Sequence, residues 1–337
     1  MTASASKPGG RLARVTRWIA AVAVASFVLL EVAARAFTHD GGNGMPCVGR
    51  VALLPLRPEP ELVERSLARS AGSTYVVRDP ELGWTIGPNG ESNGGGSELL
   101  YRSNAQGIRA DPSRTYADAV PVGKVRIVTV GDSFTHGDEV ENQDTWQRRL
   151  EEGRPDLEVL NLGVPGYGTD QALLRWRRDG SRFQSQFVIL GIWPENMCRN
   201  LGCFRYYLVP TESFACKPRM LVEDGALRVI NSPVLQGEAL AATLAEPESH
   251  PLLANDFWYR ARETRPKAFQ SVRVFRVAES VLSALERKRE RMRLYTGANP
   301  KGIDITVAIA RQFADDVRAA GATPIVLLIP MRDLLGM

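Results

Sequence analysis

The residues best placed for chemistry lie in GDSFTHG, Gly131 to Gly137, which follows the apolar run VRIVTV. A serine hydroxyl is a poor nucleophile near neutral pH. It needs a general base to take its proton and N–H donors to hold the oxyanion formed on attack. Ser133 meets part of this by position. Where a strand gives way to a helix, a serine lies among helix N-terminal amides, which favour developing negative charge. The same residues also read as a helix cap, with Ser133 or Asp132 accepting from the first turn. Phosphate chemistry has little support, because GDSFTHGDE holds no Lys or Arg to neutralise the charge. No G-x-G-x-x-G or Walker-type loop follows the strand.

Such a serine needs a scaffold, and the chain has an alternating one. KVRIVTVGD is expected as a buried strand, QDTWQRRLEEG as a helix, LEVLNLGV as a second strand, TDQALLRWRRDGSRF as a second helix and QFVILGIW as a third strand. The alternation then lapses. Residues 257–295 read as helical, with Phe269, Val272, Phe275, Ala278, Val281, Leu282 and Leu285 at helical spacing before ERKRERMRL. That basic run reads as a solvated helix face, with contact to anionic lipid as the alternative. IDITVAIARQFADDVRAAG is then a helix and ATPIVLLIP a fourth strand. Val/Ile/Leu-rich strands separated by helices predict an α/β fold with a mostly parallel sheet covered on both faces. Ligands of such sheets bind beyond the carboxyl ends of the strands. Three segments fall there: GDSFTHG, GVPGYGTD and WPENMCRN.

GDSFTHG, NLGVPGYGTDQ and LGIWPEN, in order at the ends of successive strands, resemble the first three blocks of the SGNH (GDSL-type) hydrolases. The resemblance is clearest over residues 125–200, and DPELGW and YRSNAQGIR look like the lead-in of membrane-anchored members. It implies a three-layer α/β/α, flavodoxin-like domain with Ser133 as nucleophile. It also implies an oxyanion hole from the backbone amides of Ser133 and Gly166 and the side-chain amide of Asn196, with Asp132 as a supporting acid. Residue chemistry is compatible with each role. A glycine lets backbone approach a ligand closely, and an Asn offers a neutral NH₂ donor. The other reading of Asn196 is a loop-stabilising residue. Met197 stands where the family commonly has Asp. No cofactor is implied.

The resemblance further implies a base, the His of a C-terminal Asp-x-x-His, and nothing here matches it. His250, in EPESHPLL, has a surface-loop context, and it is the last His of the sequence. His136 is the remaining candidate base. Three residues from Ser133, it would struggle to meet the hydroxyl from the required direction, and a solvent-lining or capping role is the other reading. The chain is therefore expected to be a C-terminally truncated SGNH-type protein, with a degenerate enzyme as the alternative. Two functions stay open. One is a serine esterase or acyl-transfer enzyme acting on an acylated polysaccharide, lipid or small ester. The other is a non-catalytic relative that binds acylated glycan or a partner.

Composition frames these readings. A chain of 337 residues, 44% hydrophobic and 24% charged, can bury a full core. Its 42 basic and 38 acidic residues are too nearly balanced to point to nucleic acid. Lys7, Arg11, Arg14 and Arg17 precede WIAAVAVASFVLLEVAARAF, residues 18–37, broken only by Ser26, Glu31 and Arg35. This reads as an uncleaved transmembrane signal anchor, with a cleaved signal or a buried amphipathic helix as alternatives. The basic tail, residues 1–17, would stay in the cytoplasm, which expects a single pass through the inner membrane and an extracytoplasmic domain. A linker is expected over 38–78, a lead-in with short strands and a glycine loop at Gly94–Gly96 over 79–123, and the hydrolase-like domain over 124–337, with a helical insertion at about 250–300. In an oxidising compartment one disulfide is expected within Cys198, Cys203 and Cys216, leaving Cys47 for the third; unpaired small apolar residues are the alternative. No zinc-type spacing occurs, and no metal is expected.

Overall fold

The computed structural model describes residues 9–93 and 98–331, so the expected loop at Gly94–Gly96 lies outside the described residues. Helix α1 (Gly9–Ala36) comes first. Its stretch Leu12–Ala36, 25 residues, is long and apolar enough to cross a membrane. Strands β1 (Thr38–Asp40), β2 (Pro46–Val48) and β3 (Val51–Ala52) form a small antiparallel sheet, followed by helix α2 (Pro60–Ala71). Two hairpins follow: β4 (Val76–Asp79) with β5 (Gly83–Ile86), and β6 (Glu91–Asn93) with β7 (Leu100–Arg102).

The alternating region begins with β8 (Val125–Val130), then helices α3 (Ser133–His136) and α4 (Trp146–Gly153), strand β9 (Leu157–Asn161), helix α5 (Thr169–Arg175) and strand β10 (Phe187–Ile192). Short helices α6 (Asn196–Arg199) and α7 (Arg205–Leu208) lead to a hairpin of β11 (Arg219–Glu223) and β12 (Ala226–Ile230). Helices α8 (Gly237–Ala245), α9 (Ala261–Thr264), α10 (Arg273–Tyr295) and α11 (Lys301–Ala319) precede strand β13 (Thr323–Leu328).

Strands β13, β10, β8 and β9 lie side by side in that order, all parallel. The register sets Ile127 beside Val159 and Phe187, and Leu190 beside Val130 and Val326. Val128, Val130, Leu160, Val188 and Leu190 are fully buried, as expected where helices cover a sheet. Helix α11 adds Ile309, Phe313 and Val317 to the same core, with the Phe313 ring 6.1 Å from that of Trp176. Arg126 is buried within β8 because its N–H groups are met by Glu158 at 2.6 Å and by the carbonyls of Ala117, Asp118 and Phe183.

The structure departs from the sequence reading at three places. Residues 257–272 are not one helix. Pro266 bars continuation, and Arg265 before it is extended (φ −82°, ψ 124°), so α9 stops there and a 3-10 turn at Ala268–Ser271 precedes α10. Hairpin β11–β12 was not anticipated, although Asp224-Gly225, with φ of 50° and 79°, is a strong two-residue hairpin signal. No disulfide forms among the described residues. Cys47, Cys198, Cys203 and Cys216 are all buried free thiols; Cys47 donates to the His39 carbonyl at 3.4 Å and Cys216 Sγ accepts from the Asn231 NH₂ at 3.0 Å. Burial pushes the Cys198 and Cys216 thiols up to about 12.

Candidate active site

Strand β8 delivers the chain to Gly131, where close packing requires glycine. A side chain there would run into the Thr135 hydroxyl and come within 3.0 Å of the Gly191 carbonyl. Asp132 follows in an extended conformation, and its Oδ1 accepts from the Phe134 N–H at 3.0 Å. Asp132 is therefore the N-cap of α3 and Ser133 its first helical residue, which separates the two readings of this segment. The Ser133 side chain is not used for capping. It is half-buried and lines a cleft of about 440 Å³.

The loop after β9 brings Gly166 into the same cleft, as expected. Its φ of 79° is left-handed, and a Cβ added there would sit 3.5 Å from the Trp84 ring and 3.8 Å from the Arg205 guanidinium carbon. Trp84 is held in place by its indole N–H, which donates to the Pro165 carbonyl at 2.9 Å. Its ring packs edge-on against Tyr167.

Asn196 lies beneath the cleft and does not line it. Its NH₂ group donates to Asp132 Oδ2 and to the Tyr167 carbonyl, both at 3.0 Å, while its Oδ1 accepts from the Trp193 N–H at 2.6 Å. Both amide hydrogens are thus engaged with the protein, and in this arrangement neither is free for an oxyanion. The side chain ties together the loops after β8, β9 and β10, the loop-stabilising role open to an Asn at this place. One turn further along α6, Arg199 does line the cleft. Its Nη1 donates to Asp132 Oδ2 and the Tyr167 carbonyl, both at 3.1 Å, while its buried Nε has no partner among the described residues. Burial pushes the Asp132 carboxyl up, against the opposing pull of Arg199 and two hydrogen bonds. Arg205, at the start of α7, and Arg78, in β4, also line the cleft, and Arg205 pairs with Glu212 at 2.6 Å. Sequence reasoning missed all three arginines, because no spacing marks them.

His136 is not positioned as a base. Its ring is fully buried between Tyr75 and Tyr101, both edge-on. Nε2 lies 2.6 Å from the Tyr75 hydroxyl and Nδ1 2.6 Å from Asp138 Oδ1. Nδ1 also has the Arg109 Nη1 donor at 3.0 Å, but the shorter contact is to the Asp138 carboxylate, an acceptor that calls for Nδ1–H, which leaves Nε2 to accept from Tyr75. Arg109, which donates to the His136 carbonyl at 2.8 Å, helps hold the ring inward. Burial lowers its pKa to about 4. Both nitrogens are therefore occupied away from Ser133, and proximity in sequence does not become proximity to the hydroxyl. His250 caps a 3-10 turn through the Leu252 N–H, and His39 is exposed. Among the described residues lining the cleft, Asp138 is the one carboxylate, and no histidine is present.

No model of a known protein family matches this chain. No curated protein matches it either. The cleft gathers a serine hydroxyl at a helix start, a glycine backbone, three arginines (Arg78, Arg199 and Arg205) and one carboxylate. Among the described residues no group of three His, Cys, Asp or Glu side chains could hold a metal ion.

Proposed function

We propose that this cleft is the site of a serine esterase or acyl-transfer enzyme of the SGNH type, in a three-layer α/β/α domain held at the membrane by α1. The observation that carries the reading is the Ser133 side chain. It is spared from capping by Asp132 and shares a cleft of about 440 Å³ with Gly166, beyond the carboxyl end of β8. In the proposed reaction the Ser133 oxygen bonds to the acyl carbon of an ester and the alcohol departs. Water or an acceptor hydroxyl then takes the acyl group from the serine. The backbone amides of Ser133 and Gly166 are the proposed oxyanion donors. Arg199 and Arg205 are proposed to bring N–H donors and positive charge in place of the neutral Asn196 amide, which is committed elsewhere. Asp138 is the proton acceptor that the described lining residues offer. Phe214, Leu235 and Leu240 line the same cleft and suit an acyl chain. Lys7, Arg11, Arg14 and Arg17, ahead of the apolar part of α1, support a cytoplasmic start for the helix and a single-pass arrangement with this domain outside.

A second reading, a non-catalytic protein that binds acylated glycan or a partner, is favoured by one observation: His136 is sequestered and no histidine lines the cleft. Fluorophosphonate labelling and hydrolysis of p-nitrophenyl acetate and butyrate separate the two. The enzyme reading expects labelling of Ser133, and hydrolysis lost in both Ser133→Ala and Asp138→Asn. Equal rates in wild type and Ser133→Ala would remove Ser133 from the mechanism, and binding without labelling would favour the second reading.

A further inference from the structure

Helix α10 has two unlike faces. Ser280, Arg287 and Leu294 are buried against the body of the protein, with Arg287 donating to Glu263 and to the Tyr207 carbonyl. The opposite face carries Phe275, Leu282 and Leu285 at helical spacing, 48%, 63% and 48% exposed. Exposed Arg289 continues that face one turn beyond Leu285, and Glu286 beside it is paired with Arg262. A contiguous apolar stripe on a protein surface marks a contact surface, and α1 indicates what covers this one.

Helix α10 starts on α1. The Glu31 carboxylate accepts from the Arg273 and Val274 N–H groups at 3.0 and 2.9 Å, and the Phe27 and Phe275 rings lie 5.7 Å apart. Residues 12–30 of α1 are exposed, whereas Glu31, Ala33 and Ala34 are partly covered by the domain. Residues 12–30 measure roughly 28 Å as an α-helix, against ~30 Å for a hydrocarbon core. Arg14 and Arg17 fall near the first end of that stretch, where long basic side chains reach the interface. The hydrocarbon therefore ends where α10 begins. Glu31, costly in lipid by itself, is met there by two N–H groups at a helix N-terminus and by Arg35 at 2.7 Å. Because α1 before Phe27 is uncovered, α10 crosses the end of the span and does not follow it inward.

We infer that the face of α10 bearing Phe275, Leu282 and Leu285 lies in the headgroup layer of the bilayer, in the leaflet at the carboxyl-terminal end of α1. Its apolar side chains reach the acyl boundary, and Arg289 meets lipid phosphates. This rests on α1 crossing the membrane and is independent of the chemistry at Ser133. A span and a helix lying flat are two attachments, so the domain is held in one orientation toward the membrane surface.

The test uses the full chain in vesicles of phosphatidylcholine and phosphatidylglycerol. An environment-sensitive fluorophore is placed on Leu282→Cys or, separately, on Val22→Cys; both positions are exposed, and the native thiols are buried. Quenching by nitroxides at the lipid headgroup and at mid-chain, compared with aqueous iodide, reads depth. The expected depth for position 282 is the headgroup–acyl boundary, roughly 5–10 Å into the interface, with position 22 quenched from mid-chain. Iodide quenching at 282 beside a deep position 22 overturns the inference and leaves the span standing. Iodide quenching at position 22 removes the span and the inference together. Shielding of 282 from both quenchers, lost when the protein is diluted in lipid, assigns the face to a second copy and overturns the inference.

Discussion

Replacing His136 with glutamine should flatten the acid side of the stability profile. The ring is fully buried, and burial lowers its pKa from the usual 6.5 to about 4. Between those values the unfolded chain binds a proton that the folded protein does not. Stability is therefore present in full above about pH 6.5, falls as acid is added, and has lost this contribution by about pH 4, below which both states are protonated. A shift of about 2.5 units at 1.36 kcal/mol per unit corresponds to about 3 kcal/mol, a substantial part of a typical folding free energy of about 5–15 kcal/mol. Glutamine keeps a polar group near the Tyr75 hydroxyl and Asp138 but does not titrate. The variant should be less stable by about 1–3 kcal/mol at neutral pH, from imperfectly replaced buried hydrogen bonds. That gap should close by about 3 kcal/mol toward pH 4 as the wild type meets the cost of charging its imidazole. Equilibrium urea unfolding of both proteins in detergent, followed by tryptophan fluorescence across this pH range, measures the gap directly. Titrating groups that do not touch residue 136 cancel in the difference. A gap that stays constant with pH would refute the reasoning, because it would mean that His136 titrates alike in folded and unfolded chains.

Two further outcomes follow from buried groups. Thiol titration without reductant should find the native protein unreactive toward an aqueous maleimide and all four cysteines reactive after unfolding; fewer than four after unfolding would show a disulfide. Asn196→Ala should lower stability by about 1–3 kcal/mol, because the Tyr167 carbonyl and the Asp132 carboxylate lose a buried donor. Unchanged unfolding in denaturant would show that the three loops hold without it.

The parallel strands were legible because each is a run of Val, Ile and Leu between turn residues; β8, β9 and β10 bury most of that run, whereas β13, at the edge of the sheet, leaves Ile325, Val326, Leu327 and Leu328 exposed. The helix over 301–319 was legible for the same reason, with Ile305, Ile309, Phe313 and Val317 recurring on one face. The hairpin at Asp224-Gly225 is signalled by its two turn residues alone, because the strands on either side lack a clean alternation of apolar and polar residues. The break at Pro266 was masked by apolar spacing on either side of it. The choice between Asp132 and Ser133 as cap was not readable, since both accept hydrogen bonds and only the backbone path decides which one turns inward. Four cysteines in even number suggested pairing, and packing of each into the core decided otherwise.

The sequence by itself determined that a strand hands Ser133 to a helix start, that Gly166 follows the next strand, and that an apolar helix precedes the domain. These depend on neighbours in the chain, and local periodicity and turn chemistry encode them. Only the tertiary structure decided where the polar hydrogens go. Asn196 gives both of its own to Asp132 and Tyr167, and His136 is claimed by Tyr75 from 61 residues away. Arg205 arrives beside Gly166 from a different loop. Each residue's chemistry was visible in its type, but whether a donor or lone pair remains free is settled by partners that only folding brings within about 3 Å.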